Sequence, residues 1–320
     1  MFETGSALRG RVSLVERGFV NVLLASGEER AVPYRAGELP VTGDFVVLDA
    51  SGGRLEEIEA RRTQLVRKKA GRETAPQVLA ANFDVLFVVT GLDNDYNTRR
   101  LERYLIAAWE SGARPVIVLN KTDLHVDVPA VLRETRGVAC GVDVVAVSGL
   151  TGEGLDALRE YLRPAMTVAF VGSSGVGKST IANRLLQREW QRTREVREGD
   201  DRGKHTTTGR HLVVAPEGWM LIDTPGVREF QPWSDGEGLD AAFRDVGELA
   251  AQCRFRDCRH EGEPGCAVRD QLDDERLASY QKLRREIAYL ERSVDSRAAL
   301  EEKRRWKAIH KSMRKMPKKY

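Results

Sequence analysis

The chain is predicted to be multidomain: a small all-β, OB-like barrel, a central α/β domain on a parallel sheet, and a mostly helical C-terminal domain. Three observations predict this. Short β-rich runs punctuated by glycine fill residues 1–69. From residue 83 onward, continuous apolar runs alternate with helical patterns. Beyond Gln231 the apolar spacing becomes helical, and three of the four cysteines fall within 14 residues. The length of 320 residues suits two or three domains at roughly 100–200 residues each. Hydrophobic residues make up 41% of the chain and charged residues 31%, which excludes a disordered, collagenous or disulfide-framework protein. No apolar run reaches the ~18 residues of a membrane span, and Met1–Arg11 has no apolar signal core, so a cytoplasmic protein is expected.

In the first part the runs are Val12–Val15, Val20–Leu24, Arg30–Pro33, Phe45–Leu48 and Leu55–Ile58. Five short strands in so few residues suit an OB-type barrel, which either binds oligonucleotides or only packs on its neighbour. Arg61–Gln77 is basic and polar and reads as a linker. The next strands are Phe83–Thr90, Pro115–Asn120, Asp143–Val147 and Thr167–Val171. Helical patterns separate them at about Arg99–Glu110, Pro129–Glu134 and Leu155–Leu162. Strands that are apolar throughout are buried on both faces, which means a parallel sheet between helices. His211–Ala215 and Trp219–Ile222 flank a Pro-Glu-Gly turn and read as a hairpin. In the C-terminal part Leu277, Tyr280, Leu283, Ile287, Leu290 and Val294 mark one face of an amphipathic helix.

The segment Gly172-Ser173-Ser174-Gly175-Val176-Gly177-Lys178-Ser179 follows a predicted strand and, with Thr180, opens a predicted helix. That context makes G-x4-G-K-S a P-loop. Its glycines let backbone N–H groups wrap phosphates, Lys178 can reach the β- and γ-phosphates, and Ser179 can ligate Mg²⁺. Asp223-Thr224-Pro225-Gly226 ends another strand. There Asp223 suits the magnesium side, and the Gly226 N–H can approach a γ-phosphate. Asn120-Lys121-Thr122-Asp123 resembles the guanine-reading motif of GTPases. The Asp123 carboxylate can accept from guanine N1–H and N2–H₂, a donor pair that adenine lacks. Lys121 can lie along the base and Asn120 can tie this loop to the P-loop. Ser148-Gly149 stands where such proteins place a loop that meets guanine O6.

The motif order is inverted, because Asn120 precedes Gly172 by 52 residues. A sheet domain can be cut at one loop and rejoined when its termini are close, so the GTPase core is expected to be circularly permuted. Its strand ending in Asp223 then leads directly into the C-terminal part.

Cys253, Cys258, His260 and Cys266 form C-x4-C-x-H-x5-C. Three thiolates and an imidazole make a closed tetrahedral Zn²⁺ site of the structural kind; the alternative is clustered thiols without metal. Cys140 is an isolated core thiol. In Arg188–Arg210, rich in charge and threonine, one of Thr206, Thr207 and Thr208 can complete Mg²⁺ coordination, and His205 can position water or simply face solvent. Val227 stands where many GTPases carry a water-orienting glutamine, so slow turnover by the protein alone is expected.

The net charge of +3 hides an asymmetry. From Arg276 to Tyr320 there are 15 Lys/Arg against 5 Asp/Glu, and the rest of the chain is acidic. A basic end implies a polyanionic partner, either nucleic acid or a membrane surface.

Taken together these motifs resemble the circularly permuted, small-ribosomal-subunit-dependent GTPases of bacteria, the RsgA/YjeQ type. The residues that carry the resemblance are the OB-like N-terminus, N-K-T-D before G-S-S-G-V-G-K-S-T, K-H-T-T-T, D-T-P-G-V-R-E-F and the Cys/His cluster. The resemblance implies a monomeric GTPase that binds GTP/GDP with Mg²⁺, holds one Zn²⁺, and is activated by the small subunit during its late assembly. It further implies an rRNA-binding barrel over 1–69, a GTPase domain over 76–229, and a zinc-binding domain with a basic tail over 230–320. It gives Thr207 the switch role and makes His205 a catalytic candidate beside Lys178. Two other functions compete: an RNA-binding nucleotide switch with little hydrolysis, and a membrane-associated GTPase using the basic tail. No stable membrane association is expected, since Trp306, Ile309 and Met313 form no long insertion face.

Overall fold

The structure is a computed structural model. It describes residues 7–313 apart from 36, 38, 70–74, 94, 190–209, 224–232 and 234–235, with side chains described as far as residue 294.

The first five strands are β1 (Leu8–Glu16), β2 (Phe19–Leu24), β3 (Glu29–Pro33), β4 (Phe45–Leu48) and β5 (Leu55–Ile58). They form an antiparallel sheet in the order β3-β2-β1-β4-β5. Alternation decides which way each side chain points. Val20, Val22 and Leu24 on β2 and Val46 and Leu48 on β4 turn inward, and with Val12, Val32 and Leu55 they make a separate small core.

The expected linker is different in the structure. β6 (Gln64–Lys68) pairs antiparallel with β7 (Pro76–Ala81). The polar average over Arg61–Gln77 concealed Leu65, which is fully buried together with Leu79 and Ala80. A few apolar positions in register suffice to order a strand pair when a neighbouring helix covers them.

The central sheet contains β8 (Val85–Gly91), β9 (Arg114–Asn120), β10 (Asp143–Ala146), β11 (Thr167–Val171), β12 (Leu212–Val214) and β13 (Met220–Ile222). Their order is β10-β9-β8-β11-β13-β12, and all neighbours are parallel except β12 and β13. Successive residues face opposite layers. Leu86, Val88, Ile117, Leu119, Ala169 and Val171 meet one core. Val85, Phe87, Val89, Val116, Val118 and Phe170 meet the other. The helices of this part are α1 (Thr98–Glu110), α2 (Val128–Ala139), α3 (Leu155–Arg159) and α4 (Lys178–Leu185). α1 begins where the Asn97 side chain accepts from the Arg100 N–H at 3.0 Å. Leu101 and Leu105 of α1 fill the first core, and Ile181 and Leu185 of α4 fill the second.

The C-terminal elements are α5 (Glu237–Ala242), α6 (Arg244–Ala250), α7 (Ala267–Gln271) and the 40-residue α8 (Asp274–Met313). Leu239, Phe243, Leu277, Leu283 and Ile287 join the same core as α1, so this layer packs directly on the central domain. Buried Arg276 fixes the contact. Its guanidinium lies 2.7 Å from Glu102 and 3.0 Å from Asp245, donates to the Ala242 carbonyl at 2.8 Å, and stacks 3.9 Å from the centre of the Phe243 ring.

The N-terminal sheet is attached through Arg11. It donates to the Thr167 hydroxyl at 2.6 Å, to the Gly43 carbonyl at 3.2 Å and to the Asn82 carbonyl. Burial pushes its pKa down to about 10, which still leaves it protonated at neutral pH. At Gly43 (φ 97°) a Cβ would lie 2.0 Å from the Ala81 carbonyl oxygen, so a larger residue would force the two sheets apart.

Candidate functional site: a phosphate loop beside a base-reading loop

β11 lies between β8 and β13, and the chain leaves its C-terminal end directly into Gly172. The loop closes where α4 starts at Lys178. Gly177 precedes that helix with φ 94°, and a Cβ there would lie 2.2 Å from the Asn120 amide nitrogen. Lys178 is almost fully buried, and its ammonium donates to the carbonyls of Gly172 (2.9 Å) and Ser173 (2.6 Å). Burial lowers its pKa to about 8, against the opposing effects of Asp223 and Asp95. An ammonium in that position gains from an anion beside it, and phosphate is such an anion. Val176 is buried, Ser174 and Gly175 are exposed on the rim, and Ser179 and Thr180 are half-buried in the first turn of α4.

Asn120 ends β9 and connects three loops. It donates to the Val176 carbonyl of the phosphate loop at 2.7 Å and accepts the Gly149 N–H at 2.8 Å. Lys121 adopts the left-handed conformation (φ 67°), which turns the chain so that Thr122–Leu124 form one 3-10 turn. Its ammonium pairs with Asp93. Asp93 is held below the usual carboxylate range, because Lys121 and the Asp95 N–H outweigh the opposing effect of partial burial. The Ser148 hydroxyl donates to the Asp123 carboxylate and accepts the Thr151 N–H at 3.0 Å. Asp223, buried at the end of β13, donates its N–H to the His211 carbonyl at 3.0 Å.

Asn120, Lys121, Asp123, Ser148 and Gly172–Ser179 therefore converge at the C-terminal ends of the parallel strands, the usual ligand edge of such sheets. His205, Thr206, Thr207, Thr208, Gly226 and Val227 lie outside the described residues. Four residues in the site carried no sequence signal: Asp93, Asp95, Arg100 and Tyr104, all between β8 and the middle of α1. Arg100 pairs with Asp95 and donates to the Ser173 hydroxyl at 3.1 Å. Tyr104 also bonds to Ser173.

The second constellation lies in the segment between α6 and α7. One ligand atom from each of Cys253, Cys258, His260 and Cys266 lies within 4.8 Å of every other. His260 Nδ1 is 3.7 Å from Cys253 Sγ and 3.4 Å from Cys266 Sγ. The ligand atoms of a tetrahedral zinc, with Zn–S of about 2.3 Å and Zn–N of about 2.0–2.1 Å, lie roughly 3.5–3.8 Å apart, so this set fits one Zn²⁺. The Gln281 side chain of α8 donates to the His260 carbonyl at 2.6 Å and holds the cluster against that helix.

Residues 58–233 match the family described as RsgA GTPase, more than half of the chain. The chain belongs to the RsgA GTPase family. It is 43% identical to the small ribosomal subunit biogenesis GTPase RsgA of Opitutus terrae, over 98% of this chain and 92% of that protein. Among solved structures it resembles YjeQ from Thermotoga maritima, with TM-score 0.66, 25% identity, and coverage of 88% of this chain and 99% of that one. It also shares the fold of YloQ, described as a circularly permuted GTPase, with TM-score 0.63, 24% identity, and coverage of 90% and 97%. In this chain β8, β9 and β10 come before β11 in sequence and stand on one side of it in the sheet, with β8 its direct neighbour. Among the described residues no helix is long and apolar enough to cross a membrane.

Proposed function

We propose that this chain hydrolyses GTP to GDP and phosphate, and that it acts in biogenesis of the small ribosomal subunit, which activates it. The observation that carries the nucleotide part is Asn120, which bonds at once to the phosphate loop and to the Ser148-Gly149 turn. Through it the base-reading and phosphate-holding loops form one rigid cradle. Asp123 selects guanine, with its carboxylate oriented by Ser148. Lys178 holds the β- and γ-phosphates. Ser179 and Asp223, joined by Thr207 from outside the described residues, would supply the hard oxygen donors that suit Mg²⁺, which when bound neutralises charge on the phosphates. His205 is the candidate for positioning water. Catalysis rests on positioning and charge stabilisation, not on a covalent intermediate.

The layout that fits this function is an RNA-binding OB-like barrel over 1–69, the permuted GTPase domain over 76–229 and a zinc domain over 230–320. Cys253, Cys258, His260 and Cys266 would hold a structural Zn²⁺ that ties the turn before α7 to α8. The partner is the small subunit and its rRNA, met in the cytoplasm by a monomer whose basic end faces phosphate. The names of the relatives favour this over a switch that hardly hydrolyses and over a membrane-bound GTPase. The decisive experiment is multiple-turnover phosphate release with small subunits, with large subunits and with neither. Stimulation by small subunits alone supports the proposal, and equal rates in all three overturn it.

A further inference from the structure

Arg100 lies in the first turn of α1, the helix that follows β8, and its guanidinium reaches the phosphate loop. It donates to the Ser173 hydroxyl at 3.1 Å, while the carbonyl of the same residue accepts from Lys178 at 2.6 Å. The two cations thus flank one residue of the loop, within roughly 10 Å of each other by backbone and side-chain dimensions. Asp95 pairs with Arg100 and is near enough to Lys178 to favour its charged form. The Arg100 side chain is 42% exposed and Asp95 22%. With the arginine side chain partly open to water, the attraction in this pair is weakened by solvent screening.

We propose that Arg100 is an arginine supplied in cis to phosphoryl transfer, parked on Asp95 and Ser173 and moved onto a γ-phosphate oxygen when GTP is in place. This rests on the GTPase function proposed above. The chemistry that calls for it is the charge that builds on the γ-phosphoryl oxygens as water attacks phosphorus and the bond to the β–γ bridging oxygen breaks. GDP and phosphate leave, and Arg100 neither gives nor takes a proton. Val227 offers no carboxamide at the position after Asp-Thr-Pro-Gly, and with His205 the candidate for positioning water, the charge on the γ-phosphoryl oxygens is left to cationic groups beside the loop. A planar guanidinium with several donors suits phosphoryl oxygens better than an ammonium.

The rival role is docking, in which Arg100 only fastens α1 to the loop. Three variants separate the two: Arg100→Ala, Arg100→Gln, which keeps a donor for Ser173 but no charge, and Arg100→Lys. The full chain is assayed for kcat, for KM of GTP, for GDP affinity, and for retention of GDP with Mg²⁺ and tetrafluoroaluminate, with and without small subunits. The expected result is a fall in kcat of at least ~10²-fold in both Ala and Gln variants, since such arginines contribute 10³–10⁵ elsewhere. KM and GDP affinity stay within about threefold, the tetrafluoroaluminate complex is lost, and Lys recovers part of kcat. A Gln variant that turns over like the wild type overturns the assignment, as does loss of GDP affinity in parallel with kcat. A wild-type chain with no turnover under any condition overturns the GTPase proposal itself and this assignment with it.

Discussion

Replacing Arg276 by alanine should detach the C-terminal layer from the central sheet. Glu102 is 2% exposed; one of its carboxylate oxygens accepts from Arg276 at 2.7 Å and the other from the Ser279 hydroxyl. Removing the cation leaves one oxygen of a buried carboxylate without a donor, and leaves Asp245 and the Ala242 carbonyl short of one as well. Breaking one side of a buried pair costs about 3–5 kcal/mol, and loss of the stack on Phe243, 3.9 Å away, adds about 1–2 kcal/mol. A total near 5 kcal/mol is a large part of a typical domain's stability. The assay is urea unfolding followed by circular dichroism. Glu102→Leu with Arg276→Met removes both charges and should recover most of the loss. A single variant less than about 1 kcal/mol below the wild type would refute the reasoning, because a rivet that strong cannot be removed at so little cost.

Four further outcomes are expected. Asp123→Asn should weaken GTP by about 1.5–3 kcal/mol and favour xanthosine triphosphate, measured by nucleotide titration, because the amide donates where guanine needs an acceptor. Cys258→Ala should lose one Zn²⁺ per chain by elemental analysis and loosen the region after Gln231, while nucleotide binding is retained. Nucleotide affinity should fall as pH rises above about 8, since bound phosphate favours the charged form of Lys178 and the ammonium is lost through that range; a flat titration would show that Lys178 does not hold the phosphates. Truncation after Glu302 removes nine Lys/Arg and no acid, so it should flatten the salt dependence of small-subunit binding, by about 0.7–0.9 in log–log slope for each rRNA phosphate the tail neutralises, with GTP affinity unchanged.

Much of the nucleotide cradle was legible because its chemistry is local. G-S-S-G-V-G-K-S specifies a turn that only glycine-rich backbone can make, and N-K-T-D puts a carboxylate and an amide a few residues apart on one loop. The Cys/His cluster was legible for the same reason, since its ligands span 14 residues. β6 was missed because its buried position, Leu65, sits in a basic stretch and is buried only by partners distant in sequence.

The sequence alone determined most of the element types, the inverted motif order and the candidate residues for phosphate, guanine and zinc. These follow from backbone preference and side-chain chemistry over short spans. Tertiary structure alone decided what those residues touch. It brought Asp93 to Lys121, Arg100 to Ser173 and Glu102 to Arg276, pairs separated by 28, 73 and 174 positions. No local preference encodes such pairs, because side chains meet only after the apolar faces of the sheet and its helices have packed and fixed where each loop ends.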